Sequence, residues 1–271
     1  MKKVGIVTHY DVHNHGAILQ LNALVQVLRE RYAIEAKALQ FDKNYDFLGH
    51  KLKAKYDISA KSIGIYVKYL IDKGVKCMYF NYQKRKVLNG FKASHHIVGS
   101  YYSDSENLDA VIVGSDEVFA LHTGPTPVFF GHACPSDTVF SYAGCFGPTT
   151  VSDIKQKHCV PFVASGLAAM KGVSVRDKNS QNIVKELTGI DAKLVCDPVI
   201  LYGYKKELED LKTVNYSPYL LIWFRCNIDI SSLVSALYSP VFRLSSSGNA
   251  PNVIRLRNRT SEPMAVNILF T

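Results

Sequence analysis

The spacing of apolar residues changes from segment to segment, and the changes predict alternating strands and helices. Residues 2–8 form a short β-branched run. Residues 17–31 then place Ile18, Leu21, Ala23, Leu24, Val25, Val27 and Leu28 at helical spacing, a helix with a broad face to bury. Residues 34–41 read as the next strand. Strand, loop, helix and strand in this order make a βαβ unit, whose crossover is right-handed and whose strands run parallel. The compact run DAVIV at 109–113, stopped by Gly114, has the character of a central parallel strand buried on both faces.

The alternation continues. Residues 138–143 predict a strand ended by Gly144 and Gly147, 160–170 a helix, and 173–176 a short strand. Asp177 is placed to cap a helix that runs to Leu187 and ends at Gly189, and 192–196 returns to the sheet before Asp197 and Pro198 close the unit. A turn at 215–218 precedes a strand at 219–225 and a helix over 228–238. From 239 on, Pro240, Pro251, Pro263, the Ser245–Gly248 cluster and Arg255, Arg257 and Arg259 leave only 253–256 and 265–270 as short apolar pieces, so an irregular tail is expected. The expected fold is α/β, with a parallel sheet over residues 1–215, and residues 216–271 are too few and too irregular to complete a second domain.

With 271 residues, 47% of them hydrophobic and 20% charged, the chain can bury a sizeable core, which excludes global disorder. The apolar run 4–7 is too short for a signal-peptide core, and no stretch approaches a membrane span. The six cysteines form no CxxC pair, which disfavours zinc and a disulfide framework and suits a reducing cytoplasm. Lys and Arg number 32 against 23 Asp and Glu, and the whole excess of nine lies in residues 43–92, with twelve basic and three acidic side chains. That segment lacks strand alternation and reads as helices joined at Gly64, Gly74 and Gly90. Its aromatics, Tyr66, Tyr69, Tyr79, Phe80, Tyr82 and Phe91, supply either the buried side of amphipathic helices or a stacking surface for bases or sugars. A solvated helical face is favoured over a surface for acidic glycan or lipid carrier, which would imply peripheral membrane association. No RNP, helix-turn-helix or zinc-finger spacing supports a nucleic-acid partner.

Four strand-end loops carry polar residues, and in open α/β sheets ligands bind outside the carboxyl ends of the strands. His13, Asn14 and Gly16 immediately precede a helix; they read as helix capping, as contacts to an anion such as phosphate, or, with His9 and His15, as a metal site, the weakest of the three since no carboxylate or cysteine joins them at a ligand spacing. Ser115 and Asp116 follow a buried strand and suit either a helix cap or a carboxylate that accepts a substrate hydroxyl's proton. Arg176 ends a strand with a planar donor fork for carboxylate or phosphate, a plain salt bridge to Asp177 or Asp197 being the alternative. Cys145 lies between Gly144 and Gly147 and reads as small-residue packing rather than a nucleophile, because nothing near it in sequence would activate it.

Taken in order, these strings resemble those of the polysaccharide pyruvyl transferase family. His13, Asn14, Gly16, Ala17, Leu19 and Gln20 are similar to its HxxHNxGAxLQ opening, and DAVIVGSDEVF at 109–119 to its DxxIVGSDQVW box, with Glu117 for Gln and Phe119 for Trp. SYAGCFG at 141–147 resembles SYAASFG, VSVRDK at 173–178 resembles ISVREK, and VCDPVIL at 195–201 resembles VxDPTLL; the resemblance covers residue 1 to about 225. The resemblance implies transfer of pyruvate from phosphoenolpyruvate, a donor substrate and not a cofactor, to a sugar hydroxyl as a ketal during cell-surface polysaccharide assembly. The acceptor is a sugar or lipid-linked glycan. Carried onto this chain, it implies Asp116 and Arg176 as catalytic, with His13, Asn14, Gly16, Ser115 and Tyr142 binding substrate. It further implies two Rossmann-like halves facing a cleft, a GT-B-like arrangement, with a histidine motif in the second half. All nine histidines here precede residue 159. The second half is therefore expected to be missing or divergent, and the rival reading is a noncatalytic sugar- or anion-binding remnant or a partner-dependent module.

Overall fold

The computed structural model describes residues 2–42, 60–124 and 126–210 and, of the remainder, four strands. Two compact units are present, Met1–Tyr204 and Lys205–Thr271. The boundary expected at 215/216, the turn at 215–218 and the helix at 228–238 lie outside the described residues.

The first unit opens with β1 (Lys3–Val7), α1 (His15–Tyr32) and β2 (Glu35–Gln40), the predicted βαβ unit. Asn14 caps α1 by accepting the Gly16 N–H, and Ala33 ends it in a left-handed conformation with Arg29 and Arg31 in the last turn, where cations suit the helix dipole. Then come α2 (Ala60–Ser94), β3 (Val98–Tyr101), β4 (Ala110–Val113) and β5 (Val139–Ser141). After these follow α3 (Val151–Gln156), α4 (Val160–Ala169), β6 (Ser174–Val175), α5 (Lys178–Thr188), β7 (Lys193–Leu194) and α6 (Pro198–Tyr202). Asp177 caps α5 and Gly189 ends it, as the sequence predicts.

The main sheet runs β3-β2-β1-β4-β5 and is parallel throughout. Two rungs, Ser141 N–H to Gly172 O at 3.0 Å and Lys171 N–H to Val139 O at 2.8 Å, extend it toward β6, and β6 pairs in parallel with β7. The order reverses between β1 and β4, the topological switch point of a doubly wound sheet. Side chains alternate across the sheet. Val4 and Ile6 of β1 and Ala36 and Ala38 of β2 pack with Ile18, Leu21, Leu24 and Val25 of α1 and with Leu88 of α2. Val7, Leu39, Val111 and Val113 pack instead with Phe129, Phe130, Val163 and Leu167. Full burial of each large apolar side chain contributes roughly 1.5–3 kcal/mol.

Two expectations are corrected in this unit. Only Gly74 breaks the helix of the basic segment (φ 75°, ψ 165°), whereas Gly64 and Gly90 continue it. Nor do the segment's aromatics form a buried side as a group: Phe91 packs against the core, but Tyr79, Phe80 and Tyr82 are each 63% exposed. The pattern did not predict β3, because VGSY is a short, partly exposed edge strand whose outer side, among the described residues, has no partner to demand apolar alternation.

The second unit contains α7 (Lys205–Asp210) and four strands. β8 (Tyr219–Phe224) pairs in parallel with β11 (Ala265–Phe270), and β9 (Phe242–Ser246) pairs antiparallel with β10 (Ile254–Asn258). The stretch read as irregular thus holds three strands. Its prolines and serines mask a period-two pattern that IRLRN still carries.

Candidate active site

The loops at the carboxyl ends of β1, β4, β5, β6 and β7 meet within the first unit. After β1, the Thr8 hydroxyl donates to the Ser115 carbonyl at 2.9 Å, joining the two loops at the switch point. The His9 ring turns inward, 3.3 Å from the Glu117 carbonyl and edge-on to Phe129. Asn14 and Gly16 bond to each other at the start of α1, which realises the capping reading of that turn.

At the end of β4 the chain makes no helix, so Ser115 and Asp116 are not caps. Gly114 instead lies against the β5 strand end. Its φ is +119°, and a Cβ there would stand 2.2 Å from the Tyr142 carbonyl oxygen. Asp116 bridges to Gly144, with the Cys145 N–H donating to the Asp116 carbonyl at 2.9 Å. Ser115 is 1% exposed, and among the described residues its hydroxyl has no hydrogen-bond partner. A buried polar group left unsatisfied costs roughly 1–3 kcal/mol, a cost found where a ligand or water completes the site.

Arg176 is the centre of the cluster. Its two terminal nitrogens lie 3.4 Å from Asp116 Oδ1 and 3.4 Å from Asp197 Oδ2, and all three side chains are a fifth to a quarter exposed. Asp177, the other salt-bridge candidate, accepts instead from the Ser180 N–H at 2.7 Å. Burial works against the charge on Arg176, but Cys145, Asp116 and Asp197 together outweigh it and raise the guanidinium's pKa above its ordinary value. Asp197 caps α6 through its other oxygen and accepts from Gln20 of α1. Gln20 therefore links the first turns of α1 to the cluster. Tyr142 donates its hydroxyl to the Cys196 carbonyl at 3.2 Å, and burial, with Cys196 and Asp197 nearby, pushes its pKa up to about 12, so it stays a neutral phenol.

The structure thus brings Ser115, Asp116, Tyr142 and Arg176 to one rim and ties the α1 turn to it at one remove. Sequence reading missed Gln20 as a site residue and treated Asp197 only as a possible partner of Arg176. Their signal was present, since Asp197 follows a strand end just as Asp116 does. One guanidinium between two carboxylates leaves the cluster with an excess negative charge. The 3.4 Å separations are looser than the 2.7–2.9 Å of tight charged pairs.

The polysaccharide pyruvyl transferase family profile matches residues 14–256. The chain belongs to that family. The match extends past residue 225, the expected limit of the resemblance, and so takes in β8, β9 and part of β10 in the second unit of this pyruvyl transferase family member. No curated protein matches the chain in a sequence comparison. Among the described residues, no helix is long and apolar enough to cross a membrane.

The cysteines give a direct test of this geometry. Burial pushes the Cys145 thiol up and the Cys134 thiol to about 12, whereas Cys196 is exposed. A raised pKa means less thiolate at a given pH. Iodoacetamide at pH 8 is therefore expected to alkylate Cys196 in the native protein while sparing Cys145 and Cys134 until denaturant is added, as mapped by mass spectrometry. Rapid native labelling of Cys145 would contradict the described packing.

Proposed function

We propose that the chain transfers pyruvate from phosphoenolpyruvate to a sugar or lipid-linked glycan as a ketal. In this reaction an acceptor hydroxyl oxygen adds to the enol carbon as the methylene carbon gains a proton and becomes methyl. A second hydroxyl then displaces phosphate from the same carbon, completing the ketal and releasing inorganic phosphate. The donor's carboxylate and phosphate need cationic and N–H partners, and the acceptor hydroxyl needs a proton acceptor.

In this reading Arg176 takes the donor's anionic groups in a two-point contact. Asp116, released from the fork, orients or deprotonates the acceptor hydroxyl. Ser115, whose buried hydroxyl is unpartnered among the described residues, and the neutral phenol of Tyr142 hold the sugar. His13, Asn14 and Gly16, at the positive end of α1, contribute to the donor's anionic pocket. A GT-B-like pairing of two halves would close the cleft over the donor. The observation that carries the reading is the Asp116–Arg176–Asp197 cluster at the carboxyl ends of the strands in a chain of this family.

Incubation of the purified chain with phosphoenolpyruvate and a panel of glycosides that present neighbouring hydroxyl pairs is expected to release phosphate only when an acceptor is present, with a new ketal methyl singlet by NMR. Calorimetric binding of phosphoenolpyruvate without phosphate release in the presence of any acceptor would favour the noncatalytic sugar- or anion-binding module. Absence of binding would defeat both readings.

A further inference from the structure

Helix α2 turns its most apolar stripe away from the protein. Beyond the break at Gly74, Leu88 is buried, Phe91 packs against the core, and Lys92 Nζ donates to the Tyr10 carbonyl at 3.3 Å, which defines the side that faces the sheet. At 100° per residue the opposite side carries Val75, Tyr79 and Tyr82, with Met78 on one flank and the exposed Phe80 and Val87 on the other. All six are exposed, Val75 at 72%. Before the break, Val67, Leu70 and Ile71 stand at i, i+3, i+4 spacing, and Ile71 is 77% exposed. Scattered exposed apolar residues are ordinary, but exposed apolar residues repeating at helical spacing on both sides of the Gly74 break mark an interaction surface.

The charges around the stripe select the partner. Lys68, Lys73, Lys76, Arg85 and Lys86 are exposed on the same helix, against Asp72 as the acidic residue from 67 to 87. A second copy of this stripe would bring like charges together, which opposes self-pairing. Nucleic acid would satisfy the cations and stack on the tyrosines but leave Val67, Leu70, Ile71, Val75 and Met78 in water. A surface with anionic headgroups above an acyl boundary satisfies both sets at once. Lysine and arginine meet the headgroups, tyrosines take the interface, and the aliphatic side chains enter the apolar layer.

We propose that α2 is an interfacial helix that lays this stripe on a membrane surface rich in anionic lipid. The proposal goes beyond the cleft chemistry and is independent of it, because vesicle binding reports on α2 and turnover of a soluble glycoside reports on the cleft. The test floats the full chain with unilamellar vesicles of phosphatidylcholine, alone or mixed with phosphatidylglycerol. Binding to the anionic vesicles alone is expected, and it should weaken as salt rises. Neutralising three exposed cations (K76Q, R85Q, K86Q) should cut the partition coefficient about 100-fold, from the roughly fivefold effect of each cation near an anionic surface. The variant I71S, V75S, Y79S should cut it at least about tenfold through lost apolar burial. All six positions are exposed, and an unchanged thermal midpoint checks that the fold survives. No preference of the wild-type chain for anionic vesicles would overturn the proposal. So would binding that needs the cations but ignores the apolar variant, the behaviour of a platform for an acidic protein or glycan. A dimer in sedimentation velocity that the apolar variant dissociates, without vesicle binding, would likewise assign the stripe to a second copy and reject the membrane.

Discussion

Replacing Arg176 with lysine is expected to lower turnover of phosphoenolpyruvate by about 100-fold while leaving the protein folded. Lysine keeps the charge between Asp116 and Asp197, each now 3.4 Å from a different guanidinium nitrogen, so the carboxylates are not left facing each other uncompensated. What lysine cannot supply is two coplanar donors aimed at one planar or tetrahedral anion. A charged hydrogen bond contributes roughly 1.5–3 kcal/mol, and losing one together with the orientation it imposes amounts to about two powers of ten in rate. The measurement is phosphate release under varied donor concentration, with thermal unfolding as the check on folding. Asp116→Asn is the informative companion. It should lower kcat with little change in the donor's KM if Asp116 serves the acceptor hydroxyl, since the amide can still orient that hydroxyl but not take its proton. An Arg176→Lys enzyme that turns over at the wild-type rate would remove Arg176 from the reaction.

Gly114→Ala is expected to be among the most destabilising single substitutions in the first unit, by about 3 kcal/mol or more, lowering the thermal midpoint by roughly 6–12 °C. Two independent penalties act there. The φ of +119° lies in a region that a side chain makes costly, and the new Cβ would stand 2.2 Å from the Tyr142 carbonyl oxygen. That oxygen cannot retreat cheaply, because Tyr142 N–H donates to Val113 O at 2.9 Å and Gly114 N–H donates to Val7 O at 2.9 Å, so both backbones are rungs of the same sheet. Relief would have to separate β4 from β5 at the point where Ser115, Asp116 and Tyr142 are presented. Activity should therefore fall with stability. A G114A protein with a native thermal midpoint would show that the strand ends are not packed this closely.

Legibility from sequence followed the locality of the signal. Asn14, Asp177 and Gly189 act on their own helices through hydrogen bonds two to four residues away, so cap and stop were readable where they stand. The buried central strand DAVIV declared itself because both of its faces need apolar residues. At the edge of the sheet that demand disappears, and β3 went unpredicted. The strands of the second unit were obscured for a related reason: serine, proline and arginine around β9 and β10 resemble loop composition, although residues alternate within each strand. In α2, periodicity predicted a helix but not which side of it the protein would cover.

The sequence alone established the α/β alternation, the cap residues, the local basic excess and, through ordered motifs, the resemblance to the family to which the chain belongs. Only the tertiary structure decided that Arg176 sits between Asp116 and Asp197, that Gln20 reaches that cluster, that Ser115 and Asp116 cap no helix, and that Val75, Met78, Tyr79 and Tyr82 of α2 are exposed among the described residues. The division has a physical cause. Periodicity and capping depend on neighbours along the chain, whereas a salt bridge across 60 residues, the value separating Asp116 from Arg176, depends on which strands the sheet places side by side.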